Sequence, residues 1–142
     1  MAERFGIVKT KPEPQRAFES LDLSRELLKN AEKNFEDERY LDAYNDALGA
    51  IRMSAAALMF IDGRIAPTLE GAAEYIKEFY PDLKAEEWRK IELNHPQNRG
   101  AVARILEIVG MSSMDESVGA KNALLLAKNF VEMAEKIIGG KV

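Results

Sequence analysis

Residues 36–62 read EDERYLDAYNDALGAIRMSAAALMFID, and this stretch decides the fold. It contains no proline and one glycine, so nothing in it forbids a single helix of about seven turns. Tyr40, Tyr44, Ala47, Ile51, Ala55, Leu58 and Ile61 follow one another at helical steps, which places them on one face. Leu41, Leu48, Gly49, Ser54, Ala56 and Met59 form a second stripe beside it. Together the two widen the apolar arc beyond what one neighbour could cover. Six alanines, with Gly49 and Ser54, keep the helix slim enough for several partners to approach closely. The pattern predicts the central helix of an all-α, antiparallel helical bundle.

Composition agrees with that class. Hydrophobic residues make up 46% and charged ones 31% of 142 residues, as in an ordinary globular domain able to bury a core. The net charge of −4 gives no overall attraction to nucleic acid or anionic membrane, so RNA binding would need a local basic cleft. Without cysteine there is no disulfide, thiolate metal site or cysteine nucleophile. No run resembles a signal peptide or membrane span, and the expected location is cytoplasmic.

Residues 1–14 read as an N-terminal arm, either a loosely docked terminus or a strap across a partner subunit. Residues 15–142 read as one helical domain. A first helix is expected over 15–35, with Leu21, Leu28, Ala31 and Phe35 on one face and Leu27 beside them. Asp37 is the expected N-cap of a second helix over 38–62, and so short a joint forces an antiparallel hairpin. Gly63 suits the C′ position, and Pro67 the first turn of a short helix over 67–79. In that helix Leu69, Ala72, Ala73, Ile76 and Phe79 should face inward. Another turn or two is expected between Leu83 and Leu93, ending before His95–Pro96. Asn98 should cap a helix over 99–109, and Ser113-Met-Asp-Glu116 reads as a capping box for a long last helix over 114–138, ended by Gly139-Gly140. Val118, Leu124, Ala127, Val131, Ala134 and Ile138 should supply its buried face. No alternating run calls for a strand, and no β-sheet is expected.

The hairpin also resembles a known family, the HEPN superfamily. The likeness rests on Ala31, Phe35, Tyr40, Ala43, Ala47, Ala55 and Ala56, on Leu58-Met59-Phe60 and Gly63, and on the Ala-Lys-Asn-Phe-Val-Glu phrase at Ala127–Glu132. It covers about Asp22 to Ile138. The resemblance implies two long N-terminal helices, short middle helices, a long C-terminal helix and a homodimer. It further implies a possible small nucleotidyltransferase partner or a nucleotide-like ligand. One branch of the family cleaves RNA in toxin–antitoxin pairs, with an arginine stabilising phosphate charge and a histidine assisting proton transfer across the dimer.

Arg89-KIELN-His95 fits the spacing of that branch, and His95 is the only histidine in the chain. The details depart from the family pattern. Lys90 follows the arginine, Pro96 takes His95 out of helix, and the family's usual position near the last helix falls at Arg104–Gly110, which lacks histidine. A surface-loop histidine helping to cap a turn is therefore the plainer account of His95. Between Asp82 and Arg104, Lys84, Arg89, Lys90, Arg99 and Arg104 stand against Asp82, Glu86, Glu87 and Glu92, a net of one positive charge. That falls short of a nucleic-acid footprint.

Arg52, in the middle of the alanine-rich helix, would either pair with an acid or grip phosphate. Arg52 and Arg104 are the candidate ligand-binding residues, and Arg89 and His95 the candidate catalytic ones. Glu38, Asp42 and Asp46 stand four apart but read as a solvated acidic face, and Met53, Met59, Met111 and Met114 as core filling. No metal and no cofactor is expected. The favoured reading is a non-catalytic binding or interaction domain. A metal-independent ribonuclease using Arg89 and His95 at a dimer cleft is the alternative, and a structural homodimer without ligand the third.

Overall fold

The computed structural model describes residues 5–95 and 116–141. In chain order its elements are β1 (Val8–Lys9), α1 (Pro14–Glu36), α2 (Tyr40–Asp62), β2 (Arg64–Ile65), α3 (Leu69–Phe79), a 3-10 turn (Pro81–Leu83), α4 (Ala85–Leu93) and α5 (Glu116–Lys141). The chain is an all-α helical bundle. The expected helix over 99–109, its Asn98 cap, Ser113 of the capping box, and Met111 and Met114 lie outside the described residues.

Helix α2 is the centre of the bundle, packed along its length by α1 on one side and α5 on another. Ala43, Ala47, Ala50, Ile51, Ala57 and Leu58 are completely enclosed. The small side chains bring the neighbouring axes in: a Cβ placed on Gly49 would stand 3.1 Å from Leu27 Cδ1 of α1. Buried Ser24 and Ser54 do not leave unmet hydroxyls, because each donates back to its own helix, to Leu21 O at 2.6 Å and Ala50 O at 2.8 Å.

The hairpin turn differs from the expected one. Asp37 closes α1 instead of opening α2, its N–H donating to Lys33 O, and Arg39 occupies the N-cap without a side-chain bond. Glu38 adopts φ +62°, a left-handed conformation that lets Arg39 N–H close on Asn34 O at 2.8 Å. The hairpin itself is as short as expected.

Gly63 ends α2 in the left-handed region at φ +68°. It has a second reason to be glycine, since a Cβ there would lie 2.5 Å from Thr10 O. The N-terminal segment crosses at this point. Thr10 N–H donates to Gly63 O at 2.7 Å and Glu13 N–H to Phe60 O at 2.8 Å, while β1 pairs antiparallel with β2, Val8 opposite Ile65. The expectation of no β-sheet is thus corrected by a ladder of two residues per strand, too short to leave any alternation in sequence. Residues 8–13 strap down onto the end of the chain's own α2 and onto β2.

Helix α3 starts later than expected, at Leu69. Thr68 is its N-cap and accepts from Gly71 N–H at 3.0 Å, with Pro67 outside the helix. Ala73, Tyr75 and Ile76 are buried, but Leu69 and Phe79 are not, at 46% and 53% exposure. Val118 at the start of α5 is likewise open, whereas Ala127, Val131, Ala134 and Ile138 are enclosed as expected. Helix α5 does not stop at Gly139-Gly140 but continues to Lys141. The extra turn places Lys141 Nζ on the Asp62 carboxylate, with Tyr80 Oη at 2.9 Å.

Ile51 faces the middle of this core with no exposed surface. Replacing it with aspartate leaves a carboxylate without a partner among alanines and leucines, at a cost of about 3 kcal/mol or more. Thermal unfolding of Ile51→Asp should show a melting point many degrees below wild type; a shift under about two degrees would place Ile51 on the wrong face.

Candidate functional site

The sequence candidates gather around α4, a helix of nine residues whose faces turn to different neighbours. Trp88 points inward, packing edge-on against Phe130 of α5 with ring centroids 5.7 Å apart. Its indole N–H is buried without an acceptor among the described residues, a standing cost of about 1–3 kcal/mol in a folded chain.

Arg89 turns toward α3. Its guanidinium lies 3.6 Å from Glu70, 3.5 Å from Glu74 and 3.6 Å from Glu86. Three carboxylates around one cation leave a negative surrounding field, which disfavours a phosphate there. Lys77 pairs with Glu86 at 3.0 Å at the edge of the same cluster.

His95 turns toward α2. It is not the surface-loop residue expected: only 8% of it is exposed, and its ring stands edge-to-face on Tyr44 at 5.3 Å. Nε2 lies within hydrogen-bond reach of the Asn45 side-chain amide. Tyr44 Oη in turn donates to Ile91 O, tying α2 to α4 beneath the imidazole. Burial pushes the His95 pKa below its usual 6.5 and Arg52 adds to this, while Glu92 opposes them. Arg89 and His95 are thus drawn to different partners on different helices and form no acid–base pair within one chain.

Arg52 also serves α4. Its Nε and Nη2 donate to the two oxygens of Glu92 at 2.9 and 2.8 Å, a bidentate pair that neutralises the cation expected to be available for phosphate. Arg104 lies outside the described residues. The acidic series does not form a metal site either. Asp46 accepts from Asn34 Nδ2 at 2.8 Å, burial raising its pKa against that bond, and no group of three or more metal-ligating side chains occurs among the described residues.

Two features escaped sequence reasoning. One is a hub at the end of α2, where the Asp62 carboxylate accepts from Tyr75 Oη at 2.8 Å, from Tyr80 Oη and from Lys141 Nζ. Burial raises the Asp62 pKa, but these three donors outweigh it and hold the carboxyl below its usual 3.8. Burial, and after it the bond to Asp62, raises the pKa of both tyrosines. The hub clamps α2, α3 and α5 at one point and leaves no oxygen free for chemistry.

The other is a cleft of about 480 Å³ between α4 and α5. Lys84, Lys90 and Asn94 stand on the α4 side and Asn122 and Asn129 on the α5 side, with Ile91 and Leu125 between them. No hydrogen bond or ion pair among the described residues occupies those ammonium and amide groups. Asn122 and Asn129 are two helical turns apart, so the spacing was visible in the sequence, but their facing of Lys84 and Lys90 was not.

No helix among the described residues is long and apolar enough to cross a membrane. Compared with known proteins, the chain matches no family model, no curated protein and no solved structure.

The environment of His95 yields a direct check. The unfolded chain takes up its imidazole proton near pH 6.5, whereas the folded protein resists it. Stability should therefore be complete above that pH and fall as pH drops toward the lower folded value. NMR titration of the single histidine should give a midpoint below 6.5, and His95→Gln should flatten that part of the stability profile. A midpoint at or above 6.5 would contradict the buried placement.

Proposed function

We propose that this chain is a HEPN-like domain that binds rather than cuts. It holds a nucleotide-like ligand in the cleft between α4 and α5, as a cytoplasmic homodimer that works beside a small nucleotidyltransferase. One observation carries the reading: in the α4–α5 cleft, lysine ammonium groups and asparagine amides face one cavity with no hydrogen-bond or ion-pair partner among the described residues. Asparagine amides offer a donor and an acceptor side by side, which matches the edge of a heterocyclic base. Ile91 and Leu125 supply apolar surface for the face of such a ring. Lys84 and Lys90 supply charge for a phosphate, and Glu87 on the same wall can accept from a ribose hydroxyl.

The ribonuclease alternative finds less support. A catalytic arginine must approach the phosphate, yet Arg89 stands among Glu70, Glu74 and Glu86. A catalytic imidazole must present a nitrogen to the reacting oxygen, and His95 is buried with Nε2 taken by Asn45. Homodimerisation and the nucleotidyltransferase partner are implied by the family resemblance, and exposed apolar residues such as Phe18 and Leu23 of α1 are compatible with a protein partner.

Calorimetric titration with nucleoside monophosphates should show saturable binding, one per chain, that Asn129→Leu and Lys90→Ala each weaken about tenfold or more without lowering the melting point. The same protein should leave single-stranded RNA intact over hours without added metal. Absence of binding by all four common monophosphates at millimolar concentration would defeat the ligand assignment. RNA cleavage abolished in both Arg89→Ala and His95→Ala, with each variant folded, would instead establish the ribonuclease.

A further inference from the structure

A second cavity, of about 360 Å³, lies in the angle between α2 and the β2–α3 segment. Its walls are largely carbon: Met53, Met59, Phe60, Leu69 and Ala72 line it, and Trp88 closes its inner end. Two cations stand at it, Arg52 and Arg64. Arg52 is already neutralised by Glu92. Arg64 is not: its Nη1 donates to the main-chain oxygens of Asp62 and Gly63 at 3.1 Å each, and no carboxylate pairs with it among the described residues. The nearest acid in sequence, Asp62, is taken up by Tyr75, Tyr80 and Lys141. Arg64 is therefore a guanidinium held in place by neutral acceptors and lacking a counter-charge, at the mouth of an apolar pocket.

From this we infer that the pocket is a binding site for an amphipathic carboxylate, a small acid with a medium-length apolar tail. The volume falls in the range of small-molecule sites, and an apolar lining with one well-placed polar group is their usual composition. The tail would lie against Met53, Met59 and Leu69. The unbranched thioether side chains adapt to tails of different shape. The carboxylate would pair with Arg64, whose planar fork accommodates both oxygens. A neutral alkyl ligand would leave that charge uncompensated, and a nucleotide would place its polar groups on carbon. The site shares no lining residue with the α4–α5 cleft and is independent of the function proposed for that cleft.

The chain offers its own reporter, because Trp88 is the only tryptophan and lines the pocket. Decanoate, kept below its micelle concentration, should change Trp88 emission saturably, with calorimetry giving one site per chain. Decanol should bind at least about tenfold more weakly. Arg64→Gln should weaken decanoate about tenfold and leave decanol unchanged, since Arg64 is partly exposed and outside the core. Ala72→Phe, which fills the cavity from α3, should abolish both responses; its melting curve and that of Arg64→Gln report whether the fold survives. Equal affinity for decanoate and decanol, or decanoate binding indifferent to Arg64→Gln, would overturn the carboxylate assignment. Lack of any saturable response would overturn the site, as would a dimer in sedimentation whose dissociation alone exposes it.

Discussion

The structure depends on the close approach of other helices to α2, and this approach is possible because the buried face of α2 is built mainly from alanine. Ala43, Ala47, Ala50 and Ala57 are fully enclosed, and Ile51 and Leu58 fill the space left between axes. A helix with larger side chains throughout would hold its neighbours apart and leave gaps that no rotamer could fill. The contact of Leu27 with Gly49 is the tightest expression of this constraint, since an added methyl would need Leu27 to give way. With α1 and α5 seated on two sides, only a third side of α2 remains, and it receives the short elements α3 and α4.

That order of packing governs where charge can go. The third side of α2 carries Asn45 and Arg52, and Glu92 of α4 and His95 just beyond its end meet them. Each of these polar groups satisfies another across the joint, so the joint is a polar seam between two helices rather than an open site. Arg89, one turn before Glu92 on α4, is absorbed by the carboxylates of α3 and of its own helix. The residues most suggestive of chemistry in the sequence are thereby spent on holding α4. The groups left uncommitted stand where α4 meets α5 and where β2 leaves α2.

Legibility followed the length of the repeating pattern. Helices α1, α2 and α5 span many turns, so their apolar spacing was readable and their ends fell within a few residues of expectation. The glycine at 63 was readable because a left-handed residue at a helix end strongly favours it. The hairpin turn was less so: Glu38 takes a conformation usually left to glycine or asparagine, held by main-chain bonds from Glu38 to Phe35 and from Arg39 to Asn34. Leu69 and Phe79 were misplaced because α3 has three turns and meets its neighbours over only part of its circumference, so its apolar arc is wider than its contact. The two-residue ladder of β1 and β2 has no period to detect. His95 was misread as exposed because burial there depends on Tyr44 and Asn45, some fifty residues earlier in the chain.

The site residues were the least legible for a related reason. A sequence displays which cations exist but not which carboxylates will meet them, and in a chain that is 31% charged most will be met. Arg52, Arg89 and Arg64 look alike in the sequence. In the folded chain one has a bidentate partner, one has three distant partners and one has only main-chain oxygens. Desolvation makes the difference consequential, because a cation already paired gains little from a second anion whereas an unpaired one at an apolar wall gains the full interaction. The distribution of partners across α2 and α4, more than the presence of any motif, therefore directs attention away from Arg89 and His95 and toward the α4–α5 cleft and the cavity beside Arg64.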